Sequence, residues 1–155
     1  MTTLVTMNNI NKVYSKGQVQ THALHNVSLT IDKGEFISIS GPSGCGKSTL
    51  ARCIVRLYEP TSGQIHFDEQ NIFGAAARKD RSYNRRVQMM FQDPYSSLNP
   101  RMTTGDILAE ALRVHQMRPE AEIAPRVAEL LDLVRLPQDA AEKLPHEFSG
   151  GQRQR

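Results

Sequence analysis

The sequence predicts an α/β fold, with a β-rich front part that contains a glycine-rich loop and a helical rear part. Three observations support it. Short β-branched segments bounded by turn residues dominate the front. A glycine-rich octapeptide, Gly41–Ser48, stands between one such segment and an amphipathic run. After Pro100 the apolar residues change to a spacing of three and four.

The elements follow in order. Leu4–Tyr14 reads as a first, partly polar strand, and Val27, Leu29 and Ile31 alternate with Ser28 and Thr30 as in a half-buried second one. Asp32-Lys33-Gly34 supplies a turn, and Phe36–Ser40 reads as a third strand entering Gly41. Lys47–Tyr58 is expected to be a helix, with Leu50, Ile54 and Leu57 on one face, ended by the Pro- and Gly-containing stretch Glu59–Gly63. Ile65 and Phe67 mark a short strand, and Val87–Phe91 another that is apolar enough to be buried. Thr103 or Thr104 can cap a helix lined by Ile107, Leu108, Ala111 and Leu112. From about Pro119 a second helix spaces Ile123, Val127, Leu130, Leu131 and Val134 on its inner side. The all-α stretch Thr103–Leu136 is therefore expected to be a compact insert, and the chain to divide into 1–92 and 93–155.

Bulk properties narrow the class. With 155 residues, 39% hydrophobic and 23% charged, the chain has the make-up of a globular protein and room for an ordinary core. No apolar run approaches the roughly 18 residues of a membrane span, and Met1-Thr-Thr-Leu-Val lacks the charged and apolar regions of a signal peptide. A cytoplasmic location is expected. The formal charge of +3 is concentrated in Arg78–Arg86 and in Arg153 and Arg155. Aromatic residues do not interleave usefully with these arginines, so a solvated helix face is expected and nucleic acid is not. Cys45 and Cys53 lack metal-ligand spacing and read as reduced thiols.

Gly41, Pro42, Ser43, Gly44, Cys45, Gly46, Lys47 and Ser48 match G-x-x-x-x-G-K-[ST]. A loop that wraps phosphates must turn successive backbone N–H groups inward, which requires glycine dihedrals and close approach. The helix from Lys47 through Ser48 and Thr49 adds its positive N-terminal end. Lys47 can reach the β- and γ-phosphates of a nucleotide, and the Ser48 hydroxyl suits Mg²⁺, a hard ion that prefers oxygen. The fixed positions recur by chance in roughly 0.5% of chains this long, and here a strand-like segment precedes the loop and a helix pattern follows it. Cys45, within the loop, could have a lowered thiol pKa beside Lys47, though a small filler residue is the plainer reading.

Farther along, Phe148 precedes Ser149-Gly150-Gly151-Gln152, and Arg153-Gln154-Arg155 follows. A serine hydroxyl, two exposed glycine amides and a helix start form a second anion-seeking element. This tetrapeptide resembles the signature motif of the ABC ATPases. That resemblance, which covers Tyr14 to Arg155, implies a P-loop NTPase (RecA-like) core with an N-terminal antiparallel β subdomain and an α-helical insert. It implies ATP and Mg²⁺ as cofactors, and a head-to-tail homo- or heterodimer in which one subunit's signature covers the γ-phosphate on the other's loop. Gln92, after an apolar segment, resembles the family's Q-loop glutamine, which implies a role at Mg²⁺ or water. Tyr14 falls where the family places an adenine-stacking aromatic. Phe91-Gln-Asp-Pro-Tyr-Ser-Ser-Leu-Asn-Pro-Arg101 and Leu144–Arg155 are similar to ATP-binding subunits of dipeptide, oligopeptide and nickel importers. These imply transmembrane permease partners and a peripheral position on the inner face of the cell membrane.

The family's Walker B strand, catalytic glutamate, D-loop and switch histidine follow the signature and are not within these residues. The expectation is an ATP hydrolase by family whose 155-residue chain binds nucleotide weakly, folds marginally and hydrolyses little. Ile65-His-Phe-Asp68-Glu69 superficially resembles Walker B, but it precedes Gln92 and reads as a solvent-edge strand and turn. Two other functions compete with the importer: a non-catalytic nucleotide-binding fragment, and an ABC-type ATPase acting on nucleic acid. The latter would normally carry a long coiled-coil insertion where Thr103–Leu136 is short.

Overall fold

The computed structural model describes residues 2–75, 77, 80, 82–91 and 97–153, the last for its backbone only. The chain divides into two compact units, Met1–Met89 and Met90–Arg155.

In the first unit Thr3–Lys16 (β1) and Val19–Asp32 (β2) form a long antiparallel hairpin, running from the pair Lys16 and Val19 to Thr3 and Asp32. Ser62–Phe67 (β3) pairs antiparallel with the other side of β1, and Gln70–Asn71 (β4) completes the order β2-β1-β3-β4. The partly polar look of β1 has a geometric cause. Val5 and Met7 point inward, but the register shifts between Met7 and Ile10, where Asn9 takes a positive φ of 51°. The inward phase moves from odd to even positions, so Ile10 is also buried, at 0% exposure.

The helix Lys47–Ile54 (α1) packs Leu50 and Cys53 into the core formed by Met7, Ile10, Leu24 and Ile65. It is shorter than its periodicity predicts. Arg56 enters the left-handed region at φ 62°; the Arg56 N–H then reaches the Cys53 carbonyl, and the Leu57 N–H the Arg52 carbonyl. These are the paired bonds of a Schellman motif. Leu57 therefore points outward, 57% exposed, rather than continuing the inner face.

Two predicted strands are not strands. Phe36–Ser40 and Val87–Phe91 pair with no other segment among the described residues, and Phe36 and Met90 stand almost fully in solvent. Their composition favours extended backbone, but a strand exists only where a neighbour accepts and donates its hydrogen bonds. The observed sheet is antiparallel throughout. A third correction concerns β3, which is paired on both sides and is not the sheet edge. Asp68 and Glu69, with φ of 53° and 66°, form the two-residue turn into β4, and Asp68 pairs with Arg86 at 2.9 Å. Arg86 belongs to the short helix Ser82–Arg86 (α2), whose Tyr83 is buried against Phe67.

The second unit is helical, as its spacing predicts. Thr104–Val114 (α3) begins at Thr103, whose hydroxyl accepts the Asp106 N–H at 3.1 Å. Glu120–Leu133 (α4) buries Ile123, Val127 and Leu131. Two 3₁₀ turns, Gln138–Glu142 and Pro145–Glu147, lead to the final helix Gly150–Arg153 (α5). Ala109, Leu112, Leu131, Leu136, Ala140 and Phe148 share one core.

Candidate nucleotide-binding site

The loop from Gly41 to Gly46 ends on the first turn of α1. Gly46 is the N-cap residue, at φ 94° and ψ 0°, and no side chain caps the helix. The first-turn N–H groups, those of Lys47, Ser48 and Thr49, thus keep the donor capacity that helix geometry leaves unused. Gly46 is there for two reasons. Its φ is unfavourable for other residues, and a Cβ would come within 2.4 Å of the Ala23 carbonyl oxygen and 3.0 Å of Leu24 Cδ2. Only glycine lets the loop lie against β2.

At the loop's other end a Cβ on Gly41 would meet Cys45 Sγ at 2.8 Å. Cys45 is exposed, and its thiol fills the space over Gly41. Lys47 spans the loop: its Nζ donates to the Gly41 carbonyl at 2.7 Å and the Pro42 carbonyl at 2.8 Å, and lies 3.4 Å from Cys45 Sγ. Its ammonium is thereby tied across the loop. Pro42, Ser43, Gly44 and Ser48 are exposed and Thr49 is half-buried. Helix-start amides, one ammonium and a hydroxyl are the groups that suit a polyphosphate with its counter-cation. The exposed Ser48 oxygen is of the type that Mg²⁺ takes.

Tyr14 lies near the hairpin end of β1, paired with Thr21 and 39% exposed. Its ring meets that of Tyr58 edge to face, with centroids 6.0 Å apart. The Lys12 ammonium sits 5.4 Å from the Tyr14 centroid and 5.9 Å from that of Tyr58. Lys12 and Tyr58 were not legible as site residues. The position of Lys12 two residues before Tyr14 was the one available hint, since such residues share a strand face.

In the second unit Ser149 begins α5 with a reciprocal pair of bonds. Its hydroxyl accepts the Gln152 N–H at 3.3 Å, and its own N–H donates to Gln152 Oε1 at 3.0 Å. This is a capping box, so Ser149 and Gln152 have a local structural purpose that the sequence pattern already contains. Phe148 is buried and anchors the segment in the helical core. Gly151 differs: among the described residues, outside its neighbours and its own helix backbone, no atom lies within 4 Å of where its Cβ would be. Packing against the described residues does not require the absent side chain. Gln92 lies outside the described residues, as do positions 93–96. Beyond them, Asn99 closes a turn by accepting the Arg101 N–H on its side-chain oxygen at 3.0 Å.

The chain is 51% identical over 135 residues to the oligopeptide transport ATP-binding protein OppF of Bacillus subtilis, covering 86% of this chain and 44% of that protein. It is 42% identical over 154 residues to the OppF of Streptococcus mutans, covering 98% of this chain and 50% of that one. The chain thus spans about half the length of the curated relatives it matches. Among solved structures, the dimeric, ADP- and Pi-bound post-hydrolysis form of the ATP-binding cassette MJ0796 superposes with a TM-score of 0.72 at 32% identity. That match covers 97% of this chain and 66% of the other. A family profile described as "ABC transporter" matches residues 24–155, from β2 through both glycine-rich motifs. This protein belongs to the ABC transporter family.

Proposed function

We propose that the chain forms the nucleotide-binding part of an energy-coupling subunit that drives an importer of oligopeptides. The observation that carries this reading is the loop Gly41–Ser48, with Lys47 fixed across it and an uncapped helix behind it. In this reading the triphosphate of ATP takes the N–H groups of Gly44 and of Gly46 to Thr49, and Lys47 exchanges its weak bond to the Cys45 sulfur for the terminal phosphates. Ser48, with Gln92, would hold Mg²⁺, which lowers the charge repulsion of the phosphates when bound. Tyr14 would stack on adenine. Ser149, Gly150, Gly151 and Gln152 would face the γ-phosphate of a second ABC subunit, identical or related, in a head-to-tail dimer.

Peptide cargo is supported over nickel by the names of the relatives, which are oligopeptide transport proteins. Helices α3 and α4, of 11 and 14 residues, are too short for the coiled-coil insertion of chromosome-type ATPases. Among the described residues no helix is long and apolar enough to cross a membrane. The proposed position is therefore peripheral, on the cytoplasmic face, against permease subunits that contact the segment Gln92–Arg101.

Calorimetric titration tests the nucleotide half. The chain should bind MgATP, the Lys47→Ala variant should lose at least tenfold in affinity, and chelation of Mg²⁺ should weaken binding. The transport half is tested by replacing Leu98, 37% exposed, with alanine in the importer. Peptide uptake should fall while MgATP binding is retained; equal loss of both would count against a permease contact there.

A further inference from the structure

The nucleotide reading leaves open what keeps Tyr14, an exposed ring on a strand, in place to receive a base. We infer that Lys12 and Tyr58 are positioning residues that fix the Tyr14 ring relative to the helix bearing the phosphate loop. The inference rests on the proposed binding of ATP and deepens it.

The contacts form a continuous series from the loop helix to the ring. Tyr58 is half-buried and packs on the core of the first unit. Its N–H bonds the Arg52 carbonyl of α1 at 3.1 Å, and the Arg52 guanidinium lies 5.5 Å from its ring centroid. Tyr58 is therefore tied to α1 by both backbone and side chain. It meets Tyr14 at an interplanar angle of 80°, an arrangement that sets the positive edge of one ring against the negative face of the other. Lys12 closes the series: its ammonium donates to the Glu59 carbonyl at 2.6 Å, next to Tyr58, while facing both rings. A cation shared by two ring faces opposes rotation of either away from it.

The arrangement bears on binding through entropy. A half-exposed tyrosine free to change rotamer must be ordered when a base stacks on it, at a cost of about 0.5–1.5 kcal/mol, or about 2- to 13-fold in affinity. Lys12 and Tyr58 order it beforehand. They also fix the spacing between Tyr14 and α1, so that a base and a triphosphate of one nucleotide can be engaged together. Loss of either support should weaken ligands that have a base and leave base-free polyphosphate unaffected.

The experiment compares affinities for MgATP and for magnesium tripolyphosphate by calorimetry. Tyr58→Leu and Lys12→Met are expected to weaken MgATP about 3- to 10-fold with tripolyphosphate unchanged. Tyr58→Phe and Lys12→Arg, which keep the ring and the cation, should restore the parent ratio. Tripolyphosphate binding also reports that each variant has retained its loop. If Tyr58→Leu and Lys12→Met shift both ligands equally, or neither, the positioning role is overturned. If Tyr14→Ala leaves the ratio of the two affinities unchanged, the base lies elsewhere and the inference falls, while phosphate binding at the loop stands. If the unaltered chain binds neither ligand, the nucleotide reading itself fails.

Discussion

Lys47 shows how a single side chain serves both loop and ligand. An ammonium has three donors, and here all three are used inside the loop, on the carbonyls of Gly41 and Pro42 and on the Cys45 sulfur. The lysine thus shapes the loop, and a fork-shaped guanidinium cannot reproduce that geometry. Gly46 is the complementary case, a position defined by what must be absent. Gly46→Ala would bring a methyl to within 2.4 Å of the Ala23 oxygen at a φ of 94°, so the loop must leave β2. A destabilisation of about 2 kcal/mol or more is expected, read as a lower denaturation midpoint, together with loss of MgATP binding. Tyr83 gives a pH prediction. Burial pushes its phenol up from 10.0 to about 12, against the opposing effect of the Arg56 cation, and its hydroxyl donates to the Ile54 carbonyl. A pKa raised on folding stabilises the state below the unfolded value. That contribution is complete below about pH 10, declines as pH rises and is lost above about pH 12, and amounts to roughly 2–3 kcal/mol. Alkaline unfolding followed by circular dichroism should therefore begin above pH 10, and Tyr83→Phe should reduce its pH dependence.

Elements begin where the sequence says and end where it is silent. The start of α3 is marked by Thr103, whose cap bond forms as the sequence predicts, and that of α5 by the two bonds between Ser149 and Gln152. The ends have no such mark. Helices α1, α3 and α4 each close on a left-handed residue, and none of the three is glycine: Arg56, Gln116 and Arg135. In each, the following N–H reaches back to the third-last carbonyl of the helix, as Leu57 to Arg52, Met117 to Leu112 and Leu136 to Leu131. At α4 the apolar residue after the motif, Leu136, is buried in the helical core, whereas Leu57 and Met117 remain exposed. Gln116→Gly should therefore raise stability by about 0.5–1 kcal/mol, seen as an increased Tm, because left-handed strain is removed. Thr103→Ala should lower stability by about 1 kcal/mol through loss of the cap.

For the whole molecule, two units with separate cores each present one of the two glycine-rich motifs. The open space over Gly151 gives the clearest test of assembly. Gly151→Trp adds a side chain where no described residue crowds a Cβ, so the thermal melt should change little. In the proposed head-to-tail dimer the same side chain would occupy the approach to the partner's phosphate loop. MgATP-dependent association, with itself or with a second ABC subunit, should then be lost in sedimentation velocity. Retention of the dimer would remove Gly151 from the interface. The sequence by itself determined the glycine-lysine loop motif and the helical character of the second unit, because each depends on neighbours within a few positions. Tertiary structure decided which extended segments became strands. Among the described residues it left Phe36–Ser40 and Val87–Phe91 unpaired and placed β3 between two neighbours. It also brought Lys12, Tyr14 and Tyr58 together from two distant stretches of chain. Strand pairing and ring contacts are made between residues far apart in the chain, and no local pattern specifies the partner.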